Sequence, residues 1–501
     1  MDHLSPLDAS FLDLEDQDPH VSLAIASVAV IDGPAPTQEA IVEAIRGRLP
    51  LVPRYRQRVQ RVPFDIGRPV WVDDPAIDLD YHLRRTALPA PADDASLCRV
   101  IARVMSQRLD RERPLWEAWV IEGLADGRWA LLSKVHHCMV DGVSGNELYR
   151  LIFDATPEPG GPVADTWEPQ AEPDQAALVA DALSDLVAAT VGQARVLVDS
   201  LRRPEILAKR IGDTLRGLAT VARAVRPVTS SSLVGSIGRS RRYSAVRTPL
   251  AEIRQTAEAL GVTINDVVLA AVAGALRTVL AADGEVLAPD AVRALVPVNV
   301  RTARDAGVLD NRLSMLLPML PVDRDDPLDR VRAVHERIGV LRHDHESEAV
   351  AIVTTIARYE PYLPISMAIK TALRMPQRIL ATVVTNVPGP KIPLYVLGRR
   401  IREILPYVPI AMGMRVGVSV FTYEGQAVIG ITADFEHFPH PDHLAEAVHE
   451  ELTTLARATL GTAAATAPHR KARRVGPEHQ TTKARGGTTP ALRQGRAKAA
   501  R

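Results

Sequence analysis

At 501 residues the chain is longer than one compact core usually allows, so the sequence predicts two domains. Its 60 Lys/Arg balance its 60 Asp/Glu, and no apolar run is long enough to span a bilayer, which argues against a transmembrane helix. The residues after 463 carry ten Lys/Arg and one Glu. This concentration of basic charge in a tail argues against a nucleic-acid enzyme, which carries such charge on its folded surface.

The cysteine content and the N-terminal residues bear on the cellular compartment. Cys98 and Cys138 form neither a disulfide framework nor a zinc-binding spacing, which fits a reducing cytosol. The first residues lack the basic and apolar segments of a signal peptide. We therefore expect a cytoplasmic protein.

The first 122 residues read as alternating strands and helices. Residues 21–31 predict a strand, and 37–49 have the apolar spacing of an amphipathic helix. Two short strands within 70–85, a helix over 97–109 and a strand over 116–122 follow. This alternation predicts a sheet with helices packed against it.

The next strand carries the most specific motif of the chain. Residues 130–135 predict a buried strand that delivers His136 and His137 to a turn at Asp141-Gly142. A lone histidine on a strand is most often a core residue, but two histidines followed by Asp-Gly are far more specific. Adjacent strand residues point to opposite faces, so only one histidine can face a given cavity.

The middle of the chain reads as a connection between two halves. Residues 156–174 are rich in proline, glycine and acidic residues, which indicates an exposed linker. Two helical stretches over 176–226 are interrupted at Pro204, and the second is basic and amphipathic. Such a helix either packs its apolar stripe on the protein or lies on an anionic membrane surface. Residues 230–238, rich in serine and glycine, predict a flexible joint.

The second half again alternates strands and helices. Thr263 and Asp266 have the spacing of a capping box at a helix start, and Glu424-Gly425 indicates a hairpin. The predicted strands are 243–246, 294–301, 313–321, 415–423 and 427–434, and the predicted helical regions are 249–260, 263–277, 326–382 and 442–460. The tail from residue 464 predicts disorder.

Two sets of residues have a structural and a functional interpretation. Trp116 and Trp119 are interpreted first as core or cavity-wall residues and second as ligand contacts. His437, His440 and His443 recur at every third position, but no carboxylate or thiol spacing supports a metal centre. We therefore predict no metal site.

At the histidine motif the sequence resembles the acyltransferases related to chloramphenicol acetyltransferase and to peptide-synthetase condensation domains. Further stretches are similar, in the same order, to signatures of the bacterial wax ester synthase/diacylglycerol acyltransferase family. They are residues 4–12 (LSPLDASFL), 113–117 (RPLWE), 265–266 (ND), 297–301 (PVNVR) and 386–390 (NVPGP). The resemblance covers residues 3–460, essentially all but the tail.

The resemblance implies an α+β fold of two chloramphenicol acetyltransferase-like subdomains, each a mixed sheet flanked by helices, joined by a helical linker. The implied units are an N-terminal subdomain (1–155), a linker with basic amphipathic helices (156–240), a C-terminal subdomain (241–462) and a basic tail (463–501). The joint at 234–238 (VGSIG) departs from the family's Asn-Gly-Pro-Ile-Gly-like pattern, which leaves the conformation of the joint open.

The resemblance also implies a reaction. The family transfers a fatty acyl group from acyl-CoA to diacylglycerol or to a long-chain alcohol, with no other cofactor. Imidazole suits the removal of the hydroxyl proton, and we expect His137 to be this general base, with His136 its structural neighbour. Asp141 is expected to anchor the histidine loop through Arg301, and Gly142 to keep the substrate tunnel open.

The tetrahedral intermediate of this reaction needs hydrogen-bond donors for its oxyanion. Thr385 and Asn386 are the candidates from the second half, and Asn265 and Trp116 are further candidates for substrate contacts. The family usually has serine where this chain has Thr385, but the hydroxyl group is retained. The expected partners are acyl-CoA and diacylglycerol or a long-chain alcohol, and we expect no nucleic acid.

Two other functions fit parts of the pattern. A condensation-type acyltransferase that takes its acyl group from a carrier protein would share the histidine motif but not the N-terminal or Pro-Leu-Trp signatures. A catalytically inactive protein of this fold could act at a lipid surface through its basic helix and tail. Peripheral location on the inner face of the membrane or on lipid droplets is the alternative to a purely cytoplasmic one.

Overall fold

The computed structural model describes residues 1–139, 153–202, 227–229, 232–299, 313–345 and 378–466. Up to residue 202 its elements are β1 (Asp2–His3), α1 (Pro6–Gln17), β2 (Ala24–Ile31), α2 (Gln38–Arg46), β3 (Gln57–Gln60), β4 (Val70–Asp73), α3 (Leu79–His82), β5 (Leu83–Ala87), α4 (Asp94–Met105), β6 (Trp116–Glu122), β7 (Trp129–His136) and α5 (Gln175–Arg202). After residue 240 they are β8 (Arg241–Pro249), α6 (Leu250–Leu260), α7 (Ile264–Ala282), β9 (Ala294–Asn299), β10 (Leu313–Leu316), α8 (Pro327–His345), β11 (Thr382–Pro388), β12 (Tyr395–Val396), β13 (Arg399–Tyr407), β14 (Val416–Tyr423), β15 (Gln426–Asp434) and α9 (Pro441–Thr466).

Two six-stranded sheets form the centre of the fold. The first has the strand order β12-β13-β2-β7-β6-β5, and the second has the order β10-β9-β11-β14-β15-β8. Both are mixed, since β5 runs parallel to β6 and β11 runs parallel to β9 and β14, whereas the other neighbours are antiparallel. A small third sheet has the order β1-β4-β3. The predicted α+β class with mixed sheets flanked by helices is confirmed.

Two strands from the second half of the chain complete the first sheet. β13 pairs antiparallel with β2 from Ile401↔Ile31 to Tyr407↔Ala26, with an irregularity between Ile401 and Glu403. The sequence analysis predicted no strand there. The predicted domain limits stay a prediction, but the sheet that contains the histidine strand takes β12 and β13 from beyond residue 394.

α7 is the apolar core helix of the second half. The predicted capping box is present, because the Thr263 side chain accepts from the Asp266 backbone and the Asp266 side chain accepts from the Thr263 backbone. Of the described helices, α7 alone is long and apolar enough to cross a membrane by length and composition, and 67% of its most apolar window is buried inside the fold. A helix that is apolar on all faces and packed in this way is the core helix of the second sheet.

The joint between the halves is packed rather than free. Leu233, Val234 and Ile237 are buried, and the Gly235 N–H donates to the Gly413 carbonyl at 2.9 Å. The expectation of a flexible joint is therefore wrong for residues 232–238. The reason is local, because Ile237 packs with Val21, Leu23, Ile410 and Ala411 in an apolar cluster drawn from both halves.

Most other predicted elements appear with shifted ends. The helix predicted over 97–109 begins at Asp94, because the Asp93 side chain caps it, and it ends at Met105. Of the helix-rich region predicted over 326–382, residues 327–345 are helical, residues 346–377 lie outside the described residues, and residue 382 already belongs to β11. Residues 464–466 continue α9 instead of the predicted disordered tail. The predicted basic helix after residue 203 lies outside the described residues.

Candidate active site

The histidine strand lies in the middle of the first sheet. β7 pairs with β2 on one side (His136↔Ala24) and with β6 on the other (Trp116↔Val135). All eight of its residues are buried, which explains why the sequence over 129–136 is mostly apolar. The strand ends at His136, and His137 begins a short 3-10 turn to Met139. The prediction of a buried strand that ends at the two histidines is confirmed.

His136 has a polar neighbour at each ring nitrogen. Its side chain is 1% exposed. Nδ1 accepts from the Cys138 backbone N–H at 3.2 Å and lies 2.9 Å from Cys138 Sγ. Because Nδ1 accepts, Nε2 carries the proton of the neutral ring, and Nε2 lies 3.3 Å from Glu15 Oε1. This second contact comes from α1, the N-terminal helix.

Glu15 is a fully buried carboxylate with three partners. Oε1 accepts from the Leu23 backbone N–H at 2.6 Å and faces His136, and Oε2 accepts from Arg111 Nη2 at 2.6 Å. Burial raises the pKa of Glu15, but His136, Arg111 and the Leu23 N–H together outweigh it and lower the pKa to about 2. Glu15 therefore keeps its charge at neutral pH. Burial in turn lowers the pKa of His136 despite the neighbouring carboxylate, which keeps this ring neutral.

His137 lies against an aromatic side chain of the same helix. Its ring centroid is 4.2 Å from that of Phe11, and its backbone N–H donates to the Leu23 carbonyl at 3.0 Å. The Nδ1 atom is buried and has no hydrogen-bond partner within the described part of the chain. Burial lowers the pKa of His137 to about 4, with a smaller opposing effect of its own backbone and a further lowering by His136. The ring is thus neutral at physiological pH, as a general base must be.

The N-terminal signature folds into the helix that makes these contacts. The Ser5 side chain caps α1 by accepting from the Asp8 N–H, and Pro6 occupies the first helical position. Phe11 and Glu15 are four residues apart and so share a helix face, which they present to His137 and His136 respectively. Phe11, Glu15 and Arg111 were not among the predicted site residues. A carboxylate on the apolar face of an amphipathic helix was the signal that could have found Glu15.

Trp116 has a structural environment. It is 3% exposed, its indole N–H donates to the Tyr55 carbonyl at 2.9 Å, and its ring stacks on His82 at 4.4 Å. The His82 ring nitrogen Nδ1 in turn lies 2.7 Å from the Trp116 carbonyl. These contacts favour the core interpretation of Trp116, which the sequence analysis placed first, over a role in substrate binding.

The candidates from the second half lie on the second sheet and its core helix. Thr385 and Asn386 are on β11, opposite Ser419 and Val420 of β14, and both are partly buried. Asn265 lies in the first turn of α7, and its Nδ2 is buried without a hydrogen-bond partner among the described residues. No hydrogen bond joins these three side chains to His136 or His137 within the described ranges, so their part in the site stays a prediction. Asp141, Gly142 and Arg301 lie outside the described residues.

The glycine of the second-half signature has a packing role. A Cβ atom on Gly389 would lie 2.1 Å from the Thr422 carbonyl and 2.6 Å from the Phe421 ring. The Gly389 N–H also approaches Thr422 Oγ1 at 3.2 Å. Only glycine allows the end of β11 to lie this close to β14.

The three regularly spaced histidines have separate environments. His437 Nδ1 lies 2.7 Å from Asp434 Oδ2, and the rings of His440 and His443 stack at 4.9 Å. Within the part of the chain that the structure describes, these three histidines do not converge with acidic groups in a metal-like cluster. Local pairing and stacking account for their positions.

Comparison with known proteins identifies the family. The catalytic domain of the wax ester synthase/diacylglycerol acyltransferase family matches residues 4–268, and its C-terminal domain matches residues 309–456. The chain belongs to this family. The predicted membership is confirmed, and the protein is an acyltransferase. The matched catalytic domain thus includes both α1 and the histidine strand, which contact each other in the structure.

Relatives and solved structures agree with this assignment. The chain is 40% identical over 456 residues to the probable diacylglycerol O-acyltransferase tgs1 of Mycobacterium tuberculosis, covering 91% of this chain and 96% of that protein. The wax ester synthase/diacylglycerol acyltransferase from Marinobacter aquaeolei has a similar structure, with a TM-score of 0.63 at 25% identity over 91% of this chain and 99% of that one. The first condensation domain of the CDA synthetase shares the fold, with a TM-score of 0.55 at 17% identity over 92% and 96% of the two chains. The predicted chloramphenicol acetyltransferase-like fold is confirmed.

Proposed function

We propose that this chain transfers a long-chain fatty acyl group from acyl-CoA to the free hydroxyl of diacylglycerol, giving triacylglycerol. The observation that carries the proposal is His137, a neutral imidazole held against Phe11 at the end of a buried strand in a chain of this family. The name of the mycobacterial relative supports diacylglycerol as the acceptor.

The chemistry needs one base and no covalent intermediate. His137 removes the proton from the acceptor hydroxyl while the oxygen attacks the thioester carbonyl of acyl-CoA. The tetrahedral intermediate collapses with cleavage of the C–S bond, and the imidazolium returns its proton to the CoA thiolate. His136 does not take part in proton transfer in this proposal, because its two ring nitrogens are engaged by Cys138 and Glu15.

The oxyanion of that intermediate is assigned to the second half of the chain. Thr385 and Asn386 carry a hydroxyl and an amide donor at the end of β11, and Asn265 carries a buried amide with an unused donor among the described residues. Asp141 anchors the histidine loop with Arg301, and Gly142 leaves room for the acyl chain, as the family resemblance implies. CoA itself is held by arginine, lysine and backbone groups, and no other cofactor is needed.

An acyltransferase assay tests the proposal. Purified protein is incubated with labelled palmitoyl-CoA and diolein beside His137→Ala, with His443→Ala as the control at an exposed histidine. Loss of the general base should lower kcat by about 10²–10⁴, whereas the control should match the native chain. Equal product from His137→Ala and the native chain would refute the role of His137. Product from an acylated carrier protein in place of acyl-CoA, and none from palmitoyl-CoA, would favour the condensation-type function.

The oxyanion assignment has its own pair of variants. Thr385→Val removes the hydroxyl at nearly constant volume, and Thr385→Ser keeps it with the residue usual in the family. A donor to the oxyanion is worth about 10²–10³ in kcat, so Thr385→Val should lose activity and Thr385→Ser should keep it. Equal activity of both variants would remove Thr385 from the mechanism.

A long-chain alcohol is the second acceptor that we propose, which would give wax esters. The structural neighbour from Marinobacter aquaeolei, named for both activities, favours it. Replacement of diolein by hexadecanol in the same assay measures the ratio of the two products. A single labelled product with both acceptors present would show a strict preference.

We also propose that the protein works at the surface of a membrane or lipid droplet, where its apolar substrates reside. Among the described residues, Phe64 is 91% exposed, and Leu183 and Val187 on α5 are 49% and 62% exposed. Flotation with anionic and neutral lipid vesicles tests this location. Failure to float with either vesicle would leave a purely cytoplasmic protein.

A further inference from the structure

A buried lysine lies beside the histidines on the same strand. Lys134 is two residues before His136 on β7, so both side chains project from the same face of the sheet. Lys134 is 1% exposed, and Nζ donates to the Val104 carbonyl at 3.1 Å and to the Gln107 carbonyl at 2.6 Å. Val104 lies in the last turn of α4 and Gln107 lies two residues beyond its end, where the helix dipole favours a cation.

The loop that leaves α4 carries two arginines that reach the catalytic region. Arg108 Nε donates to the Val21 carbonyl at 2.8 Å, and its Nη2 donates to the Glu15 and Asp18 carbonyls at the end of α1. Arg111 binds the Glu15 carboxylate. The start of this loop therefore sets where α1 ends and how the Glu15 side chain meets its partners.

Burial of this ammonium group works against folding. It lowers the pKa of Lys134 to about 8, although Glu117 and Glu15 attract the charge and oppose the change. A methionine would fill similar space without an ionisable group to desolvate. The contribution of the lysine must then lie in the groups that it orders rather than in net stability.

We propose that Lys134 is a positioning residue for acyl transfer. By holding the Val104 and Gln107 carbonyls it fixes the loop whose arginines seat Glu15 behind His136 and His137. It acts through Arg108 and Arg111 and does not touch the substrate. The proposal deepens the proposed function and rests on it for its kinetic test.

The kinetic test compares Lys134→Met, Arg108→Met and the double variant in the assay with palmitoyl-CoA and diolein. Lys134→Met should lower kcat about tenfold or more, with KM for palmitoyl-CoA within about twofold. Because the two residues act in series, the double variant should lose no more than the worse single variant. Losses that multiply in the double variant, or a Lys134→Met variant with native kcat, would overturn the proposal.

Two further variants separate positioning from general damage. Lys134→Gln keeps an amide donor and should retain more kcat than Lys134→Met, and it replaces that variant if Lys134→Met does not fold. Arg330→Met removes another buried cation, which donates to the Arg324 and Asp325 carbonyls far from the histidines in sequence. Arg330→Met also leaves the Glu451 carboxylate without its cation and should lower the melting temperature more than Lys134→Met does, but only Lys134→Met should lower kcat. The same response in both variants would make Lys134 merely structural.

A second readout is independent of the substrate. If the native chain gives no product, the proposed function has failed, and the positioning is judged from the rate at which diethyl pyrocarbonate modifies His137, followed by mass spectrometry. A loosened loop should expose the ring and raise this rate several-fold in Lys134→Met but not in Arg330→Met. Equal rates of His137 modification in the native chain, Lys134→Met and Arg330→Met would be sufficient to overturn the positioning role.

Discussion

Replacement of Glu15 by glutamine tests the buried charge behind the histidines. A carboxyl group whose pKa falls from its ordinary 4.5 to about 2 on folding stabilises the folded state by about 3 kcal/mol at neutral pH. Glutamine has the shape of the protonated acid and still accepts from the Leu23 N–H, but it offers no charge to Arg111 or His136. Because His136 is neutral at pH 7 and does not add its charge, Glu15→Gln should lower the free energy of unfolding by about 1–3 kcal/mol at that pH.

The positions of the tryptophans allow the loss of stability in Glu15→Gln to be measured by fluorescence. All five lie before residue 168, at Trp71, Trp116, Trp119, Trp129 and Trp167. Urea unfolding followed by tryptophan fluorescence therefore reports on the part of the fold that contains Glu15. The matched control is Glu122→Gln, which removes a half-exposed carboxylate that pairs with Arg85 at the surface, and it should change the free energy of unfolding by less than about 1 kcal/mol.

The pH dependence of the difference identifies its origin. Because the folded-state pKa of Glu15 is depressed, its contribution is complete above pH 4.5 and is lost as the pH falls toward 2. The difference between the native chain and Glu15→Gln should shrink by about 1 kcal/mol between pH 5 and pH 3.5. A difference below about 1 kcal/mol at pH 7, or one that does not change with acid, would refute the electrostatic argument and leave Glu15 as a packing residue.

Two further predictions concern His137 and the second-half signature. Since burial holds the pKa of His137 at about 4, kcat/KM should stay level from neutral pH to about pH 5 and fall below it, and an acid limb centred at 6.5 or above would contradict a buried base. Folded His137 binds its proton more weakly than the unfolded chain, so acid between pH 6.5 and 4 should also reduce stability. Gly389→Ala should lower the free energy of unfolding by about 1–3 kcal/mol, because the added methyl group meets the Thr422 carbonyl. Gly339→Ala, in a helix with open space around it, should raise it by about 0.5–1 kcal/mol, and melting curves from far-UV circular dichroism that show the same sign for both would refute the steric argument.

Local signals in the sequence were reliable where neighbours along the chain determine the structure. The strand at 116–122, the capping box at Thr263 and Asp266, and the hairpin at Glu424-Gly425 are present as predicted. Each depends on contacts within a few residues, so periodicity and turn chemistry are sufficient. The histidine strand is predictable for the same reason, because an apolar run that ends at a turn is a local signal.

The missed features depend on contacts between distant residues. The position of Glu15 on the apolar face of its helix does not reveal its partner, because the fold brings Arg111 onto the carboxylate from about a hundred positions later. Lys134 likewise looks misplaced in an apolar strand until α4 ends beside it. β13 contains Arg399, Arg400 and Arg402, which hide its strand character, and its partner β2 lies some 370 residues earlier. Pairings of this kind leave no short-range pattern.

The strand exchange determines how the two halves depend on each other. β2 lies between β7, which carries His136, and β13, which comes from the second half. Without β13, the backbone N–H and carbonyl groups of β2 would form an open edge one strand away from the histidines. The second half also closes against this strand, since the Tyr243 hydroxyl and Ser419 Oγ both donate to the Pro406 carbonyl of β13. The histidine strand and the second half are therefore joined through two adjacent ladders of backbone hydrogen bonds.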